Sequence, residues 1–166
     1  STWVSDIWGW VDPKNGKEYA LVGMWDGTSV VDISNPSNPK VICFIETTGG
    51  VVEGLEDFNN IWRDIKGVND VAYIGSAVTF HGIQTIDLTK LNDFPRGSGS
   101  DGVPIISPDY VTPEEEVGSS HNLVAAPEAG MVIAVGVAST DNACPAVLNK
   151  RKSRGQDKVF DVATLV

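Results

Sequence analysis

A strand ending in glycine, followed by a second strand with an aspartate near its centre, occurs three times in this 166-residue chain. The copies are Tyr19-Ala20-Leu21-Val22-Gly23 with Ser29-Val30-Val31-Asp32-Ile33, Val71-Ala72-Tyr73-Ile74-Gly75 with Gln84-Thr85-Ile86-Asp87-Leu88, and Val132-Ile133-Ala134-Val135-Gly136 with Lys158-Val159-Phe160-Asp161-Val162. The glycines recur at a spacing close to the roughly 40 to 50 residues that one propeller blade occupies, with the excess placed in loops. Repeats of this size cannot bury their apolar faces alone and must stack on neighbours. The pattern therefore predicts an all-β, β-propeller-like fold of about three four-stranded antiparallel blades forming an incomplete ring. One domain would hold repeats at about residues 1–48, 49–91 and 117–166, with an irregular excursion at 92–116.

Local signals set the strand limits. The stretch Asp6-Ile7-Trp8-Gly9-Trp10-Val11 leads into Asp12-Pro13-Lys14-Asn15-Gly16-Lys17, whose proline and Asn-Gly pair fit a tight reversal into the strand from Glu18 to Gly23. Asp26-Gly27 turns the chain again. The two prolines of Asn35-Pro36-Ser37-Asn38-Pro39 remove ladder donors and so end the third strand before a fourth from Lys40 to Glu46. Between Asn92 and Ser120 periodicity disappears under Gly97, Gly99, Gly102, Pro104, Pro108 and Pro113, an excursion uncommon in a compact domain unless it is functional or mobile. No stretch reads as an amphipathic helix.

Composition excludes several partners. Twelve basic against 22 acidic residues give a net charge of -10, which repels phosphate backbones and anionic lipid surfaces and predicts no nucleic-acid or membrane-surface partner. Lys150-Arg151-Lys152 with Arg154 is too short a basic cluster for a docking tract and reads as solvated loop. No apolar run is long enough for a spanning helix, so no transmembrane segment is expected. The chain starts at Ser1, without methionine or a signal-type segment, which suggests a removed leader or a piece of a longer protein. Cys43 sits in the apolar strand Val41-Ile42-Cys43-Phe44-Ile45 and reads as a small buried hydrophobe. Cys144, beside Pro145, is the better disulfide candidate.

Several segments resemble the choice-of-anchor B proteins, secreted or surface-anchored proteins built from LVIVD-type propeller repeats. They are Asp6-Ile7-Trp8-Gly9-Trp10, Tyr19-Ala20-Leu21-Val22-Gly23, Val31-Asp32-Ile33-Ser34-Asn35-Pro36, Trp62-Arg63-Asp64-Ile65-Lys66, His81-Gly82-Ile83-Gln84-Thr85-Ile86-Asp87-Leu88 and Ser120-His121-Asn122-Leu123. The resemblance covers about residues 6–136 and implies a propeller, an extracellular, cell-surface or other extracytoplasmic setting and no established chemistry. Such proteins carry further repeats, including a later histidine-containing segment. Beyond Gly136 only Lys158 to Leu165 matches well.

Candidate chemistry rests on few residues. His81 and His121, the two histidines, each lie just before a strand at equivalent places of neighbouring repeats, and with Asp64 or Asp6 they could converge on a rim as a two-histidine, one-carboxylate site for a divalent metal ion. The structural alternative is a loop histidine bonded to a carbonyl or stacked on Trp62. Ser119 or Ser120 beside His121 lacks a nucleophile elbow or an oxyanion motif. Asp101 with Glu114, Glu115 and Glu116 lacks the EF-hand spacing and reads as acidic loop. Asp32, Asp87 and Asp161 read as a repeated structural hydrogen bond to a neighbouring turn. Among five tryptophans, Trp25 and Trp62 are binding candidates able to stack on a sugar or anchor a protein, and Trp25 is expected to be exposed.

These readings predict a non-enzymatic module, a structural or protein-interaction subunit of a larger assembly. A protein partner, further copies or further repeats would complete the propeller across an interface above roughly 1,000 Å². The competing expectation is a metal-dependent hydrolase or oxidase using His81, His121 and Asp64.

Overall fold

A computed structural model describes residues 3–49, 62–94, 102–114 and 116–138, together with the backbone of the strands Ala146–Lys150 and Phe160–Thr164. Among the described residues the regular elements are β-strands and two short 3-10 helices, Leu88–Asp93 and Pro127–Ala129. Strands β1 (Val4–Val11), β2 (Glu18–Met24), β3 (Gly27–Asp32) and β4 (Lys40–Glu46) form an antiparallel meander. A second meander contains β5 (Arg63–Val68), β6 (Val71–Ser76) and β7 (Gln84–Asp87).

The excursion is not irregular throughout. Its residues Ile105–Ile106 (β8) add to the first sheet as a parallel edge strand beside Phe44 and Ile45, and Tyr110–Val111 (β9) are the fourth strand of the second sheet. Two-residue strands between prolines leave no alternating pattern to detect. The third sheet runs β10 (Asn122–Ala126), β11 (Met131–Val135), β12 (Ala146–Lys150) and β13 (Phe160–Thr164). β12 takes the third place, so Asp161 in β13 lies on the fourth strand and not at the third-strand position of Asp32 and Asp87. Lys150 closes β12, whereas Arg151, Lys152, Arg154, Asp101, Glu115 and Cys144 lie outside the described residues.

Sheets one and three both pack on sheet two. Every residue of β6 is buried, because Ala72 and Ile74 enter the core shared with Tyr19, Leu21, Val30 and Ile45, while Val71 and Tyr73 enter the core shared with Leu123, Val132 and Ala134. A strand covered on both faces reads as a continuous apolar run. Cys43 is a free, fully buried thiol in the first core, and desolvation pushes its pKa up to about 12.

The repeated glycines have a packing cause. Gly23 pairs with Asp6 and Gly75 with Asp64, and each is where the next sheet touches down. A Cβ on Gly23 would lie 3.1 Å from the Arg63 Cβ, and one on Gly75 would lie 2.5 Å from Ser120 Oγ. Gly136 differs, since it follows β11 in the left-handed region at φ 64°.

Candidate functional site

The first strands of the three sheets, β1, β5 and β10, lie side by side and are tied by one repeated contact. The Ile65 N–H donates to Asp6 Oδ2 at 2.7 Å, and the Leu123 N–H donates to Asp64 Oδ2 at 2.7 Å, both across 59 residues of sequence. A first strand is a sheet edge with unpaired backbone donors. A carboxylate from the preceding sheet satisfies such a donor with a charge-assisted bond. A Cβ on Gly67 would come within 2.5 Å of Trp8 Nε1, so Gly67 seats the Trp8 ring. Lower on the same sheets, Trp10 Nε1 donates to Asp70 Oδ1 at 3.0 Å and the Tyr19 hydroxyl donates to Asn92 Oδ1 at 3.2 Å.

At the start of these strands a cleft of about 560 Å³ is lined by Ser5, Asp6, Trp62, Arg63, Asp64, Lys66, His121 and Asn122. Lys66 bonds Asp64 Oδ1, approaches Asp6 Oδ2 at 3.9 Å and stands 5.5 Å above the Trp8 ring. Asp64 also accepts from Asn122 Nδ2 at 3.2 Å. Both aspartates therefore serve the joints between sheets, with a lysine balancing their charge. Arg63 is buried and donates from Nη1 to the Trp25 carbonyl at 3.1 Å, and desolvation lowers its pKa to about 10. It remains a cation at neutral pH.

The sequence candidates separate in space. Asp64, His121 and Trp62 share the cleft with Asp6, but His81 is not among its lining residues. The two histidines do not occupy equivalent places: His121 precedes β10, a first strand, and takes the position that Arg63 has before Asp64, whereas His81 precedes β7, a third strand. His81 is fully buried in a sharp loop between Phe80 at φ 65° and Gly82 at φ 68°. Its Nδ1 lies 2.8 Å from the Gly82 carbonyl, Thr48 Oγ1 donates to its own carbonyl at 2.6 Å, and Nε2 has no hydrogen-bond partner. Desolvation lowers its pKa to about 4, with lesser opposing and reinforcing effects from that carbonyl and from Arg63. Among the described residues, no group of three or more His, Cys, Asp or Glu is placed to hold a metal ion.

Trp62 is exposed, while Trp25 is only half-exposed at the β2–β3 turn, where its carbonyl serves Arg63. Ser120 is buried against Gly75 and His121 is exposed. Asp32 Oδ1 accepts from the Ser34 N–H at 3.0 Å, and Asp87 Oδ1 accepts from the Thr89 N–H at 3.1 Å and the Thr89 hydroxyl at 2.7 Å. In both cases the last residue of the third strand fixes the turn that follows. Replacing either aspartate by alanine is expected to lower unfolding free energy by about 1 kcal/mol, the usual cost of losing such a cap, while binding elsewhere is unchanged. Chemical denaturation of the two variants checks this, and loss of binding at full stability would contradict the assignment.

Sequence reasoning missed Arg63 and Lys66 as lining residues, and it missed the joint made by Asp6 and Asp64. The usable signal was the motif of a short polar residue before a branched apolar one at the start of each first strand: Asp6-Ile7, Asp64-Ile65 and Asn122-Leu123. Among the described residues no helix is long and apolar enough to cross a membrane.

In comparison with known protein families, residues 16–47 fit the LVIVD repeat. These residues include β2, β3 and β4, with their Gly23 and Asp32. No curated protein and no solved structure is significantly similar to the chain.

Proposed function

We propose that this chain is a non-enzymatic propeller module of the choice-of-anchor B kind, acting outside the cytoplasm as a structural or protein-interaction subunit of a larger assembly. The observation that carries the reading is the use of the polar cleft residues. Asp6 and Asp64 have oxygens committed to backbone N–H groups of the next sheet, and Asp64 and Lys66 bond each other. The LVIVD match and the stacking of antiparallel sheets through their first strands support the propeller architecture. Repeat folds of this kind present extended surfaces to partners, and exposed Trp62 beside the cleft suits a protein or carbohydrate contact.

The alternative is a metal-dependent hydrolase or oxidase built on Asp64 and His121. The two readings part on metal content. Elemental analysis after incubation with zinc, manganese or calcium and exhaustive dialysis is expected to give well below one metal per chain, unchanged in the His121→Ala and His81→Ala variants. Stoichiometric metal that disappears in His121→Ala would overturn the non-enzymatic reading.

A further inference from the structure

The cleft of about 560 Å³ lies on the rim, at the starts of β1, β5 and β10, and not on a face where one sheet stacks on the next. Small-molecule sites occupy roughly 300 to 1,000 Å³, so its size suits one. The formal charges of its lining cancel, with Asp6 and Asp64 set against Arg63 and Lys66. Both cations are engaged, because Lys66 bonds Asp64 and the buried Arg63 donates to the Trp25 carbonyl. An ion of either sign would lose hydration on entering and gain no net opposite charge. A neutral ligand avoids that cost.

Polar capacity nonetheless remains in the lining. Asp6 gives Oδ2 to the Ile65 N–H, and among the described residues no donor is bonded to its Oδ1. Asn122 gives Nδ2 to Asp64 and keeps its carboxamide oxygen. The Ser5 hydroxyl accepts from the Arg63 N–H at 3.1 Å, which leaves its proton to donate. Because the joints between sheets already hold these side chains, a ligand has little ordering cost to meet. Beside them Trp62 is 53% exposed, and its carbonyl is fixed by the Ser76 hydroxyl at 2.9 Å.

We infer that the cleft binds a neutral sugar ring, with a C–H face on the Trp62 indole and hydroxyls on Asp6 Oδ1, Asn122 Oδ1 and Ser5 Oγ. This deepens the interaction reading above and rests on it. A sugar hydroxyl both donates and accepts, which is what two spare acceptors and one hydroxyl require. Its ring also has an apolar face, which suits an indole left in water beside polar groups. A protein partner fits less well, since a concave polar site with a single exposed aromatic lacks the apolar core of a protein interface.

Tryptophan fluorescence and ligand-observed NMR with the methyl pyranosides of glucose, galactose, mannose and N-acetylglucosamine test the assignment. At least one is expected to saturate with a Kd of about 1 mM, the weak binding of a single small ring. Trp62→Ala is expected to weaken it about tenfold without changing the melt, and Trp62→Phe to keep most of the affinity, because an aromatic face remains. Asn122→Ala should weaken binding severalfold. Raising salt from about 50 to about 500 mM should leave the affinity unchanged, since the lining has no net charge. No saturation by any of the pyranosides up to about 50 mM, a 50-fold excess over the expected Kd, would overturn the assignment. So would equal binding by Trp62→Ala, or binding abolished by salt. A cleft that ignores sugars leaves the non-enzymatic reading standing, because metal content tests that reading separately.

Discussion

Asp64→Ala is expected to lower the unfolding free energy by about 3 kcal/mol, read as a drop in the denaturant midpoint, and to do so equally with and without added metal. The side chain is nearly buried and satisfies three donors: the Leu123 N–H, Asn122 Nδ2 and Lys66 Nζ. Its removal leaves the buried Leu123 amide without its acceptor and a part-buried lysine with, among the described residues, Asp6 as its acidic neighbour at 3.9 Å. Leaving a buried donor unsatisfied costs about 1 to 3 kcal/mol, and breaking a buried ion pair from one side costs about 3 to 5. Asp64→Asn keeps an acceptor for Leu123 and is expected to cost less than half as much. A loss seen only when metal is present would instead make Asp64 a ligand.

His81 makes stability depend on pH. Its pKa falls from 6.5 in the unfolded chain to about 4 in the folded one, so between these values the unfolded state holds a proton that the folded state lacks. Stability therefore rises with pH across that window and is complete above 6.5. Falling from pH 7 to pH 4, the protein is expected to lose about 3 kcal/mol through this group. The cause is the buried ring: protonation would place a second N–H at Nε2, which has no hydrogen-bond partner, in the same field as Arg63. His81→Asn places an amide near Nδ1, can keep the donation to Gly82, and removes the titration. Thermal melts from pH 4 to 7 should show a flatter profile for this variant than for the natural protein. Parallel profiles would refute the burial argument.

Much of the fold was legible in the chain because its strands obey local rules. Asn15-Gly16, Asp26-Gly27 and the two prolines after Ser34 mark turns through their own backbone preferences, and the four strands of the first meander follow. Gly23 and Gly75 repeat because a neighbouring sheet occupies the space of a side chain. The site was less legible. A carboxylate reaching a backbone amide 59 residues away leaves no local mark, and Asp64 looks the same in sequence whether it binds a metal or an N–H. His81 and His121 look alike in sequence because both precede strands, although a first strand and a third strand open at different places in a sheet. Ile105–Ile106 and Tyr110–Val111 are illegible in the sequence because two residues cannot display a period.

Those two short strands are close neighbours in the chain yet lie in different sheets, one at the edge of the first and the other at the edge of the second. The segment between them acts as a strap across the rim. Sliding sheet one over sheet two would have to break the Phe44 and Ile105 ladder or the Gln84 and Val111 ladder as well as the core between them. A second tie joins sheets two and three, where the Gly82 N–H donates to the Gly118 carbonyl at 3.0 Å and the Ser120 N–H to the Ser76 carbonyl at 2.8 Å, while Ser119 bridges Ala138 beyond β11. Mechanical load applied to the chain should therefore be carried at both joints by short backbone ties as well as by the cores, so that the three sheets move together.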